Sequence, residues 1–344
     1  MKRFSFFCML LVLGAACNPK QQADLLISNA TIYTVNADFD IAEAVAVKDG
    51  KIIAVGTTKT LSTTIDAERK WDAKGAFIYP GFIDAHAHLY NLGLARQQVD
   101  LVGTQSVQEI LDRVMSFQDQ KQLPYILGRG WDQNDWKDNQ FPNKDVLDVL
   151  FPNTPVALTR IDGHAMWVNT AALKLAGITA QTKMPGGEVV LENGTPSGIL
   201  IDTPMSLIRA SIPKPSIAYN TQALKEAANF CVANGLTTVS DAGLSREIIY
   251  LIDSLQQANE IDLRLYAMVS NTPADLNHFL QKGIIKTNRL HVRSVKVYGD
   301  GALGSRGAAL RAPYHDKPNH FGAMITPIDS LAKLAPRILK APIF

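Results

Sequence analysis

Phe77-Ile78-Tyr79-Pro80-Gly81-Phe82-Ile83-Asp84-Ala85-His86-Ala87-His88 is a short apolar run, broken by Pro-Gly, that ends in His-x-His. Read as a strand, its alternation sends His86 and His88 to the same side. Two neutral imidazoles aimed one way from a strand end begin a divalent-metal site. An isolated His-x-His is as readily a pair of surface histidines at a loop mouth. Here an apolar strand delivers the pair and Asp84 adjoins it, and both features favour metal.

Working outward, four further segments carry chemistry-bearing residues at fixed spacing. They are Arg129-Gly130-Trp131-Asp132-Gln133-Asn134-Asp135-Trp136, Asp162-Gly163-His164-Ala165-Met166-Trp167-Val168-Asn169, Gly235-Leu236-Thr237-Thr238-Val239, and Lys296-Val297-Tyr298-Gly299-Asp300-Gly301-Ala302-Leu303-Gly304-Ser305-Arg306. Together with Pro80–His88 they resemble the amidohydrolase superfamily, and within it the family 3 branch that includes enzymes similar to N-substituted formamide deformylases. The resemblance runs from Asp24 to about Leu339. It implies an α/β fold: a (β/α)8 barrel with metal at the ends of its strands, flanked by a small β-sandwich.

Composition sets bounds. The 344 residues allow one large domain or two ordinary ones, and 47% are apolar, ample for a core. The formal net charge is +2 and no basic block is dense, which argues against nucleic acid as a partner. The three cysteines, Cys8, Cys17 and Cys231, have neither metal-site spacing nor the makings of a disulfide framework. Cys231 sits in the apolar stretch 227–232 and reads as a buried structural thiol.

Residues 1–17 read as an address. Lys2-Arg3 precede the apolar run Phe4 to Leu13, and Gly14-Ala15-Ala16-Cys17 closes it with small residues. The run is short for a membrane span. Small-small-Cys resembles a bacterial lipobox. That resemblance implies lipidation at Cys17, a membrane anchor and a place on the bacterial cell envelope, facing the periplasm or the exterior. Gly14 departs from the usual Leu, which falls one place earlier at Leu13, so ordinary secretion or an uncleaved anchor stands beside it. Residues 18–23 then form a tether.

Residues 24–75 read as short β elements around 25–27, 31–35, 44–47 and 51–55, with Lys48-Asp49-Gly50-Lys51 as a hairpin turn. The barrel region takes 76–344. Its strand 1 carries the histidines, strand 2 is Leu236–Asp241, strand 3 Leu263–Val269 and strand 4 Val292–Tyr298. The interval between strands 1 and 2 is too long for one connection, so about 100–215 is an inserted α+β subdomain. Within it 124–128 and 155–159 read as strands and 169–176 as a helix. Beyond strand 4 come a Pro-, His- and Gly-rich loop and a helical stretch from 327 to about 340. The superfamily's histidines after strands 5 and 6, and the aspartate ending strand 8, find no counterpart, so no catalytic base is assigned. The expectation is a partial barrel of about four strands in a chain truncated within it. His315 and His320 read as surface residues of that loop.

The resemblance implies a metal-activated water attacking a C–N bond of a small amide, formamide or cyclic amide. His86, His88 and Lys296 are the candidate ligands for one or two divalent ions, zinc first. Lys296 matches the family's Lys-x-x-x-Asp-Gly motif, in which the lysine is carboxylated. Pairing with Asp300 or pointing to solvent is the alternative. Candidate substrate contacts are His164, Asp300, Arg306 and Trp131. Arg306 can steer a carboxylate or brace its loop. His164 can bond substrate, reach a metal or serve structure. Trp131, with Trp136 and Trp167, can line an apolar pocket or fill the insert's core. Two rival readings remain: a catalytically inactive fragment, and a cell-surface small-molecule binding module.

Overall fold

The protein is described by a computed structural model covering residues 19–301, 303 and 307–341. Cys17 and Arg306 lie outside the described residues. The chain divides into two compact units, with the break between Gly81 and Phe82.

The first unit holds two sheets. Strand Gln21–Ser28 pairs antiparallel with Ala44–Lys48 and parallel with Ile65–Asp72, and Lys51–Gly56 adds an edge. The Asp-Gly hairpin forms as read: Lys48 faces Lys51, and Asp49 and Gly50 both take positive φ (50° and 70°), the pair a tight hairpin turn demands. Gln21–Ala23 belong to the first strand rather than to a tether, because Ala23 is buried in the core with Leu26, Ala44 and Ala46. The helix Thr58–Thr64 and the strand that follows it were not legible as such. Its threonines are weak helix formers, and the Thr57 hydroxyl, accepting from Thr60 N, and the buried Leu61 hold it. The second sheet has three strands: Ile41–Ala42, Thr31–Tyr33 and Phe77–Ile78. Phe77-Ile78 is therefore not the start of the histidine strand. Pro80-Gly81 interrupts the run, and each half finds its own sheet, which moves the boundary from 75/76 to 81/82.

In the second unit four parallel strands lie side by side in chain order: Phe82–Ala87, Leu236–Leu244, Arg264–Ser270 and Leu290–Lys296. The short strand Ile285–Lys286 runs antiparallel along the last. Helices Ile217–Ala233, Arg246–Gln257 and Pro273–Lys282 connect them. Each begins at a hydroxyl N-cap (Ser216, Ser245, Thr272), a device that contributes about 1 kcal/mol. Leu224, Cys231, Ile249, Ile252 and Phe279 from these helices meet Val239, Leu265, Val269 and Val292 from the strands in one buried cluster. Burying each such side chain stabilises by roughly 1.5–3 kcal/mol. Cys231 is the buried thiol expected. The fourth strand ends at Lys296 rather than Tyr298, because the Tyr298 and Gly299 carbonyls bond to Thr326 and Ile325 instead of to the sheet.

The sequence between the first two of these strands forms a separate six-stranded mixed sheet, in the order Gly187–Glu192, Thr195–Asp202, Ala165–Val168, Val156–Arg160, Ile126–Trp131 and Val99–Asp100. Alternation divides its side chains between two cores. Val156, Leu158, Ala165 and Trp167 enter one, while Ala157, Met166, Val168 and Leu200 enter the other. An ion pair of Lys121 with Glu226, joined by Gln97, ties the helix Val107–Lys121 to the helix Ile217–Ala233. The last helix, Ile328–Leu339, falls where the sequence placed it. Among the described residues no helix is long and apolar enough to cross a membrane.

Candidate metal centre

The strand Phe82–Ala87 ends one residue before His88, which opens the helix Leu89–Ala95. His86 and His88 point to the same side, as alternation requires. Their ring centroids lie 5.6 Å apart with planes at 87°, and both residues are exposed. The backbone around them is held by two carboxylates. Asp84 Oδ1 accepts from His86 N at 3.1 Å. Asp241, on the neighbouring strand opposite Ala87, accepts from Tyr90 N at 3.1 Å through Oδ2, and the neighbouring Leu89 N–H also favours its charged form. Asp241 is only 1% exposed. Burial raises its carboxyl above the usual range, against the lowering effect of those N–H groups and of nearby His88.

Lys296 closes the fourth strand opposite Ser270. Its Nζ stands 5.0 Å from the centroid of the Tyr298 ring. Its stem lies over Gly243, where an added Cβ would sit 3.5 Å from Lys296 Cγ. The lysine thus leans across the third strand toward the second, the one that pairs with the histidine strand. It is not paired with Asp300, whose Oδ2 instead accepts from Ala309 N at 2.9 Å.

The donor chemistry fits a divalent ion in part. Two adjacent imidazoles supply two ligands of the right kind, and the lysine can supply a third only as an oxygen anion. Among the described residues no group of three or more His, Cys, Asp or Glu side chains gathers as a metal site.

Not every candidate lies at these strand ends. His164 lies in the turn just before the strand Ala165–Val168, 73% exposed at its side chain, with Nδ1 2.7 Å from Asp202 Oδ1. That hydrogen bond, then the Asp202 charge, raises its pKa above the ordinary 6.5. Asp202 N in turn donates to His164 O, and Asp202 takes a positive φ of 53°. Trp131 must be corrected. It is fully buried, its indole N–H donates to Leu158 O at 2.8 Å, and it packs on Trp136 and Trp167. Trp136 and Trp167 are buried too, with their indoles bonded to Thr104 O and Asn143 O. These rings form the core of the insert and offer no open apolar wall. Asp300 is exposed and braces its own loop, bridging to Met324. Of the loop histidines, His315 is exposed, while His320 is half-buried against Tyr314.

Asp241, Gly243 and Asp202 were not singled out in the sequence. An acid ending the apolar run 236–241 was the available signal for the first. For Asp202 no motif pointed to it.

With the site in view, comparison with known proteins places the chain. A model of the amidohydrolase family matches residues 70–341, and the chain belongs to that family. Protein LONG AFTER FAR-RED 3 of Arabidopsis thaliana is 33% identical over 328 residues, covering 90% of this chain and 56% of the relative. YtcJ of Bacillus subtilis strain 168, named as an amidohydrolase, is 33% identical over 319 residues, covering 88% and 59%. N-substituted formamide deformylase of Arthrobacter pascens is 32% identical over 243 residues, covering 64% and 43%. The chain therefore spans little more than half the length of the first two. In fold it is similar to a crystal structure described as an uncharacterized metal-dependent hydrolase from Pyrococcus furiosus, with TM-score 0.74 and 23% identity over 93% of this chain and 65% of that one.

Proposed function

We propose that the protein is a metal-dependent hydrolase that cleaves a C–N bond, other than a peptide bond, in a small amide, formamide or cyclic amide. The observation that carries the reading is the exposed His86/His88 pair at the end of the first of four parallel strands, with Lys296 ending the fourth. Family membership supports it, and the formamide deformylase among the relatives supports the substrate class. Four parallel strands in chain order support reading them as the first half of a (β/α)8 barrel, a fold whose strand ends meet at one rim.

A divalent ion bound there, zinc in this proposal, would lower the pKa of water and polarise a carbonyl. His86 and His88 would hold it through ring nitrogens, on a backbone that Asp84 and Asp241 brace at His86 N and Tyr90 N. Lys296 would join them as an anionic carbamate, formed when its neutral amine adds to carbon dioxide with an N–C bond made and one proton lost. Asp300 and Arg306, which follow in the sequence, are the proposed substrate contacts. His164, oriented by Asp202, leaves Nε2 free to donate to or accept from a substrate. Cys17 is the proposed lipid anchor, on the bacterial cell envelope. Cys17→Ser should release the protein from the membrane fraction.

The test is a panel of N-substituted formamides and cyclic amides, with released formate or amine measured after zinc loading and after chelation. Turnover should follow the metal and vanish in His88→Ala. Turnover that survives both chelation and His88→Ala would overturn the reading. So would a metal-loaded chain that acts on no amide.

A further inference from the structure

We infer that Asp241 is a positioning residue for His88: reaching from the next strand, it caps the turn that His88 opens and so sets where that imidazole stands. The inference rests on the reading of His86 and His88 as metal ligands.

A helix start leaves its first N–H groups without intrahelical partners. The helix Leu89–Ala95 starts at His88, whose side chain makes no capping bond. Ser, Thr, Asp or Asn would serve there; His does not. The cap comes instead from Asp241, 151 positions beyond Tyr90, which takes the Tyr90 N–H on its carboxylate. An imidazole at the first position of the turn is thereby left free to face outward. Capping has been moved off His88 and onto a neighbour.

The location of this acid is costly in itself. At 1% exposure a carboxylate loses its hydration, and the loss is offset only where fixed N–H groups replace water. Most strand positions facing this core are apolar: Val239, Leu265, Ala267, Val269 and Val292. Asp241 breaks that pattern at the one point where its strand meets the residue between the two histidines, Ala87. The two histidines are thus held in different ways. Asp84 grips His86 locally, through a bond two residues along the same strand. Asp241 grips the His88 turn from another strand, so a change in strand pairing would be felt directly at the imidazole.

The structure also supplies a control. Asp275 is 6% exposed and accepts from Arg246 N at 3.0 Å, at the start of the helix Arg246–Gln257. It is a buried acid at a helix start in the same unit, with no histidine attached to the turn it holds.

The experiment titrates Co(II) into the full chain and follows visible absorption, alongside thermal unfolding without metal. Asp241→Ala should bind Co(II) about 10–100-fold more weakly, with an altered absorption band. Asp241→Asn keeps one acceptor oxygen and should recover part of the affinity. Asp275→Ala should lose comparable thermal stability yet stay within about twofold of wild-type affinity, since outer groups tune only the ligands they hold. In the metal-free protein, Asp241→Asn should shift the His88 ring resonances and leave those of His86 in place. Wild-type affinity in both Asp241 variants would overturn the inference. So would an equal affinity loss in Asp275→Ala, which would mark the effect as global. A wild-type chain that binds no Co(II) overturns the metal-site reading itself, a result distinct from either.

Discussion

The second unit contains two sheets that treat similar residues in opposite ways. The four parallel strands leave His86 and His88 exposed at a strand end and lean Lys296 over Gly243 of the second strand. The interposed six-stranded sheet buries Trp131 and Trp167 completely and gives each indole a backbone carbonyl. In the sequence both regions show the same kind of signal, an aromatic or histidine motif beside aspartates and glycines. Position in the sheet separates them. Side chains at the C-terminal ends of parallel strands stand where connections begin and a ligand can approach. Side chains on a sheet face with a second layer over it become core.

The sharpest way to break this contrast is Trp131→Ala. Removing a buried aromatic ring should cost about 3–5 kcal/mol, read as a large drop in the urea midpoint. A folded variant with unchanged midpoint would return Trp131 to the surface and undo the distinction. Next come two glycines with the same unusual backbone, Gly130 at φ +118° and Gly243 at φ +119°. Alanine at either should cost about 1–3 kcal/mol in strain. At Gly130 the new Cβ would also fall 2.5 Å from Val102 Cγ2 and 2.7 Å from Val102 N. At Gly243 its nearest neighbour is the Lys296 stem at 3.5 Å, an ordinary contact. Gly130→Ala should therefore be the more damaging by about 1–3 kcal/mol of overpacking. Equal midpoints for the two variants would mean that the interposed sheet is as yielding as the rim.

The rim histidines should behave in the converse way. His86→Ala and His88→Ala remove exposed rings and should change metal-free stability by less than about 0.5 kcal/mol. As proposed ligands, each should nonetheless weaken Zn(II) binding by more than about 100-fold, since a direct ligand counts for more than the outer groups that support it. Competition with a fluorescent chelator measures this. Loss of stability without loss of zinc affinity would assign the pair to structure.

These contrasts also mark what the chain discloses when read as letters. Strands 2, 3 and 4 were legible because apolar runs bounded by Gly, Asn and Asp leave few other choices. The interposed region was legible as an interval too long to be a loop. The same-side placement of His86 and His88 followed from strand alternation alone. The rest depended on distant pairing. Phe77-Ile78 and Phe82–Ala87 read as one strand, and only their partners, Thr31–Tyr33 and Leu236–Leu244, assign them to different sheets. The hold of Asp241 on the His88 turn joins residues that no local pattern connects. The tryptophans carry the same letters whether they line a pocket or fill a core. What decided the matter was helix Val107–Lys121, with Ile110 and Val114 packed into the same cluster as Trp131 and Trp167.

The smallest effect expected belongs to His164, where the two kinds of behaviour meet: an exposed histidine in a turn at the margin of the interposed sheet. Its bond to Asp202 raises the folded-state pKa above the ordinary 6.5. A group so raised gives stability that is fully present below the unfolded pKa and is lost as pH rises through the folded one. Asp202→Asn removes the charge and most of the hydrogen-bond preference for imidazolium. The His164 ring, followed by NMR, should then titrate nearer 6.5. The variant should be slightly less stable than wild type on the acid side of that window and equal to it on the alkaline side. Because the ring is exposed, solvent screens the pair and the stability difference should be small. The opposite sign, with wild type losing its advantage as pH falls, would mean that Asp202 is held by another cation. A His164 pKa untouched by the substitution would remove the dyad, and with it the reason to count His164 among the substrate contacts.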